Sequence, residues 1–163
     1  MKQIWAPWRM EYLKAEKTAD ECIFCTLPQA GEDEKSLILY RGSLCFVIIN
    51  RYPYNTGHLM VSPYRHISCV TFLDQEENNE MNELTQKCVE FLRADKSPHG
   101  FNIGINLGKC AGAGFEDHIH IHIVPRWHGD TNFMQVLADT RVHPEELQAL
   151  YNRLVPCFQK LKS

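Results

Sequence analysis

The chain has 163 residues, 44% hydrophobic and 23% charged, with a formal net charge of −3. That length suits one ordinary domain spanning residues 1–163, and that composition excludes disordered, collagen-like and coiled-coil chains. Mild acidity argues against sequence-independent nucleic-acid binding, and the longest apolar run, Leu44–Ile49, is far short of the ~20 residues of a membrane helix. Neither nucleic acid nor a membrane is expected as a partner.

Residues 1–36 read as irregular, with Pro7, Pro28, Gly31 and the charged run Glu32–Lys35; the opening MKQIWAPWRMEY has no apolar stretch suited to a signal peptide. Leu37–Tyr40 and Leu44–Asn50, around Arg41-Gly42-Ser43, read as a β-hairpin. Asn50–Gly57 is dense in turn formers, and His58–Ser62 resumes as a strand. Asp74 opens the clearest helix, with Met81, Leu84, Cys88, Phe91 and Leu92 at three- and four-residue steps. Ser97–Gly100 stops it. Phe101–Asn106 alternates as a strand, the segment after it holds Gly108, Gly112 and Gly114, and Asp117–Val124 reads as a strand ended by Pro125. A last helix is expected over about 143–162, with Leu147, Leu150 and Leu154 on one side. The class is α+β: an antiparallel sheet with two main helices.

The chain has seven cysteines, and only Cys22 and Cys25 form a tight motif. An odd count at loose spacing argues against a disulfide framework and for a reducing, cytoplasmic setting, where a paired Cys-x-x-Cys means metal or redox chemistry. A redox pair would sit at a helix start near a βαβ unit, a pattern missing here; as a zinc knuckle the pair is half a site.

Strand geometry places His118, His120 and His122 on one face and Ile119, Ile121 and Ile123 on the other, with the histidines roughly 7 Å apart. A wet polar face would be better served by threonine. One metal ion cannot readily take three histidines whose outer pair spans about 13 Å. A third reading, favoured by the surroundings, is an anion-handling catalytic row, in which one imidazole attacks and its neighbours orient it and donate to phosphate oxygens. The glycines of residues 106–114 suit an anion nest of backbone N–H groups.

His118-x-His120-x-His122 matches the signature of the histidine triad (HIT) superfamily of nucleotide hydrolases and transferases, and the chain resembles it from about Cys22 to Trp127. Trp5–Arg9 and Pro125-Arg126-Trp127-x-Gly129-Asp130-x-Asn132-Phe133-Met134 resemble the bacterial branch that includes diadenosine tetraphosphate phosphorylases. The resemblance implies a HIT-like fold with a five-stranded antiparallel sheet, usually a homodimer. It implies His120 as a nucleophile forming a nucleotidyl-histidine with an adenine nucleotide or dinucleoside polyphosphate, His122 as a phosphate donor, and His58 bonded to the nucleophile's other ring nitrogen or to phosphate. It further implies Asn50 at the ribose, Asn106, Gly112 and Gly114 at phosphate, and Trp127 at the base or over the sheet edge. No metal is needed for that step; Mg²⁺ would come with the substrate. In related proteins with this Cys pair, the positions of His66 and His118 complete a structural Cys₂His₂ zinc site with Cys22 and Cys25. The Gly-Gln-Ser or Gly-Gln-Thr many members carry before the triad is replaced here by Gly112-Ala113-Gly114-Phe115-Glu116-Asp117. Two readings stay open beside the enzyme: a slow or inactive nucleotide-binding regulator, and a zinc-dependent hydrolase.

Overall fold

The computed structural model describes residues 22–130 and 145–162. Trp5–Arg9, Asn132–Met134, His143 and Pro144 lie outside the described residues. Element order is α1 (Ile23–Gln29), α2 (Asp33–Ser36), β1 (Ile38–Arg41), β2 (Cys45–Ile49), β3 (Leu59–Pro63), α3 (Gln75–Lys96), β4 (Gly100–Ile105), β5 (Ile121–Arg126) and α4 (Leu147–Gln159). The strands form one antiparallel sheet in the order β1-β2-β3-β5-β4. Period-two alternation splits its side chains between two apolar layers. Val47, Ile49, Leu59, Val61, Ile121 and Ile123 pack under α3 and α4, and Phe46, Ile48 and Met60 pack with Phe24 of α1 on the other face.

Helix α3 is built as its sequence demands. Asp74 accepts from the Glu77 backbone N–H at 2.8 Å, and the Glu77 carboxylate accepts from the Asp74 N–H at 3.1 Å, a reciprocal cap for donors the helix leaves unpaired. Met81, Leu84, Cys88 and Leu92 form its buried stripe. The β1–β2 hairpin docks on the same helix, because the Glu80 carboxylate accepts from the backbone N–H groups of Ser43, Leu44 and Cys45. Gly42 is required there: a Cβ would lie 2.1 Å from Glu80 Oε1.

The structure corrects three expectations. The supposedly irregular stretch contains α1 and α2; α1 is too short for its periodicity to be legible and is held by burial of Phe24. Strand β5 starts at Ile121, because the backbone of Ile119 is taken by Ile67 O and Ser62 Oγ instead of a strand ladder. It runs on through Pro125 to Arg126, past the last residue that β3 pairs, where the missing N–H costs no β3 bond. Finally, α4 begins at Leu147, since Glu145 is drawn into ion pairs with Lys96 and Arg153.

Candidate active site and metal centre

On the face of the sheet opposite α3, His58 meets His122 across the β3–β5 junction, with His118 and His120 leading into β5. All four rings are buried. Each ring nitrogen has an assignable role, because a backbone group can only donate or only accept.

His118 Nε2 lies 2.9 Å from Pro63 O, so it carries the proton and donates; its lone pair is on Nδ1. His120 Nδ1 lies 2.8 Å from His118 O and donates for the same reason, leaving Nε2 as a free lone pair. Burial lowers the pKa of both, that of His118 to about 4, which keeps them neutral near pH 7. His58 Nδ1 accepts the Tyr54 backbone N–H at 3.0 Å, with the Asn50 amide 3.3 Å away. Neutral His58 therefore carries its proton on Nε2 and donates to His122 Nδ1 at 2.9 Å. His122 is left with Nε2–H facing the cleft; the Asn106 side-chain amide lies 3.4 Å away and pairs with that N–H only by turning its oxygen towards it. Of the two partners expected for His58, the nucleophile's ring nitrogen is not the one it meets: His118 O already holds His120 Nδ1, and His58 bonds His122.

Phe24 lies flat on the His120 ring, with centroids 4.5 Å apart and planes at 25°, and it also touches His118 and Phe115. Tyr54 lies over His58 and His122 at 4.6 and 5.5 Å. Neither was singled out from sequence; the one available signal for Phe24 was its place between Cys22 and Cys25.

One other expectation changes. The N–H groups of Ala111, Gly112 and Ala113 bond to Gly108 O and Lys109 O, so these residues close their own turn and do not form the expected anion nest. The Trp127 indole N–H donates to Lys96 O at the end of α3. Asn50 stays near the row, with Oδ1 taken by the Tyr52 N–H.

The sulfurs of Cys22 and Cys25 and the ring nitrogens of His66 and His118 all lie within 4.8 Å of one another. Cys22 Sγ is 3.3 Å from His118 Nδ1, and Cys25 Sγ is 3.3 Å from His66 Nδ1. The donor chemistry fits a metal ion. The Pro63 carbonyl leaves His118 Nδ1 as a lone pair aimed at the sulfurs. Burial, with Cys22 beside it, pushes the Cys25 thiol up to about 11, so a cation is what would let that thiol ionise near pH 7. These four residues can hold a metal.

A family model described as the HIT domain matches residues 32–129. The chain belongs to the HIT family. It is 38% identical over 156 residues to the AP-4-A phosphorylase of Mycobacterium tuberculosis, an alignment covering 91% of this chain and 80% of that protein. It is 29% identical to the bis(5'-adenosyl)-triphosphatase of Dictyostelium discoideum, over 79% of this chain and 90% of that one. A zinc-bound histidine triad family protein from Mycobacterium smegmatis has the same fold, with a TM-score of 0.68 at 25% identity, covering 87% of this HIT protein and 96% of its own chain.

Proposed function

We propose that this HIT protein is a nucleotidyl-transferring enzyme acting on dinucleoside polyphosphates of the diadenosine tetraphosphate class, with His120 as its covalent nucleophile. The observation that carries the reading is the bond from His120 Nδ1–H to His118 O, which leaves an unprotonated Nε2 in a neutral, buried ring. The Nε2 lone pair forms an N–P bond to the α-phosphorus as the P–O bond to the remaining polyphosphate breaks, and the electron pair leaves with that oxygen. The ring is cationic until the acceptor attacks phosphorus and returns it to the neutral state. His122 Nε2–H, held in place by His58, donates to the charged phosphoryl oxygens, where positioned donors matter most. Asn50 and Asn106 border this row and contact ribose and phosphate; Mg²⁺ arrives with the substrate. Likeness to a phosphorylase along most of the chain favours phosphate over water as the acceptor.

The metal is zinc, held by Cys22, Cys25, His66 and His118 as a closed structural site; two sulfurs and two imidazoles suit its tetrahedral preference. When bound, it supplies fold stability and no reacting position. The protein works in the cytoplasm, in keeping with seven free cysteines, and no helix among the described residues is long and apolar enough to cross a membrane. It pairs with a second copy through β4, whose outer edge has no strand partner among the described residues. There Ile103 is 51% exposed beside a groove against Val89 and Ala94 of α3.

The test is mass spectrometry of the intact protein after mixing with diadenosine tetraphosphate and a non-acidic quench. An adenylyl adduct is expected on the wild type and absent from His120→Ala, with added phosphate clearing it faster than water. Nucleotide binding without adduct or product would replace the enzyme by a nucleotide-binding regulator.

A further inference from the structure

The Arg126-Trp127-x-Gly129-Asp130 segment starts at the last residue of β5, and its polar atoms close on the loop before His58. Asp130 is nearly buried, its side chain 9% exposed, and its carboxylate is fully engaged. Oδ2 accepts from Arg126 Nε at 2.6 Å, from Asn55 Nδ2 at 2.9 Å and from the Trp127 backbone N–H at 3.2 Å; Oδ1 accepts from Arg126 Nη2 at 3.0 Å. Arg126 is fixed in turn by Asn102 of β4 at 2.7 Å. The Asn55 amide also donates to Pro125 O at 3.0 Å, so both its bonds end on the 125–130 segment.

Asn55 is the hinge of the next turn, its carbonyl accepting the His58 N–H at 3.2 Å. Between them Gly57 has φ of +81°, and a Cβ there would meet Pro125 Cγ at 3.1 Å and Leu92 Cδ2 at 3.2 Å. Only glycine gives both that backbone angle and that approach. The turn delivering Tyr54 N–H and His58 therefore rests directly on Pro125 and Asp130.

We propose that Asp130 and Asn55 are positioning residues for the reaction. Their contact clamps the Tyr54–His58 turn to the end of β5, holds Tyr54 N–H on His58 Nδ1, and so keeps the proton of His58 on Nε2 and that of His122 on the nitrogen facing phosphate. Neither residue touches substrate. The inference rests on the reading of His120 as nucleophile, but its structural half has a readout that needs no turnover.

The variants are Asn55→Ala, which leaves the Arg126–Asp130 ion pair intact, Asp130→Asn, and the double variant. Histidine-labelled ligand-free protein is examined by long-range ¹H–¹⁵N correlation, and diadenosine tetraphosphate turnover is measured in parallel. The wild type should carry His58 as the Nε2–H form alone, and each variant should show a mixture of both neutral forms. The kcat should fall about tenfold or more with KM within about twofold, and the double variant should be no worse than the poorer single one. Arg153→Ala, which breaks a surface ion-pair cluster on α4, should lower Tm while leaving the imidazole spectrum and kcat unchanged. An unmixed His58 signal in both variants overturns the clamp, as does a mixed signal with wild-type kcat. A wild type that forms no adduct at His120 sinks the functional reading instead, and the imidazole spectra still decide the clamp.

Discussion

The two ends of the histidine row solve the same problem in opposite ways. At one end, His118 Nδ1, His66 and two sulfurs converge on one point, where only thiol protons separate the lone pairs until a cation replaces them. At the other, Tyr54, His58 and His122 alternate donor and acceptor, and each proton has a place. The first end is partly exposed at its cysteines and at His66; the second is closed, with His58 at 0% and His122 at 8%. Converging lone pairs need a cation, whereas an alternating chain is complete by itself. One end is accordingly built to be fastened and the other to be aimed, and His120 lies between them, tied to the first by His118 O and by Phe24, and to the second by contact with His122.

The largest effect should come at the junction: His120→Ala should cut turnover by on the order of 10⁴-fold while leaving Tm and bound metal near wild type. Initial rates together with metal analysis check this; a variant that loses metal as well would mean the two ends are not separable. Next, Cys22→Ser or a strong chelator should lower stability by about 3 kcal/mol or more, seen as a fall in Tm of roughly 6–12 °C, with activity lost only as the fold loosens. Thermal melts against metal content measure that, and full activity loss at unchanged Tm would favour a catalytic metal. His58→Ala should cost about 10²-fold in kcat with unaltered metal content, since only the aimed end is disturbed.

Acid separates the ends more gently. The Arg126 guanidinium holds Asp130 at about 2 rather than its ordinary 3.8. A carboxylate lowered on folding contributes stability above its unfolded pKa and loses it as pH falls through the folded one. The wild type should therefore exceed Asp130→Asn by about 2 kcal/mol at pH 7, with the gap narrowing below pH 4, read from urea unfolding at each pH. An unchanged gap at pH 3 would mean the carboxylate's charge is not what stabilises the turn. The smallest effect is expected outside both ends: Ile103→Asp should shift sedimentation towards a single chain and alter kcat by no more than about twofold.

Much of this was legible locally. The Asp74–Glu77 cap and the Met81–Leu92 stripe named α3, and the hairpin around Gly42 followed from turn chemistry. The four metal ligands came from a Cys pair plus resemblance, and they converge in the fold. Other features were out of reach. Helix α1 is shorter than two helical periods need to declare themselves, and the turn-closing bonds of residues 108–113 are backbone choices that spaced glycines do not specify. Arg126 and Asp130 could be read as an i,i+4 charge pair, but nothing in their spacing points to Asn55, 75 positions earlier in the chain.

The sequence by itself determined which residues of β5 share a face, because alternation is a property of the extended backbone and separates His122 from Ile121 and Ile123 without any partner. Only the tertiary structure decided what each imidazole does. Pro63 O, His118 O and His58 Nε2 each claim one nitrogen of a different ring, and two of those partners lie 55 and 64 residues away. A histidine's role is set by which nitrogen keeps its lone pair, and that is settled by the partner facing it across the fold.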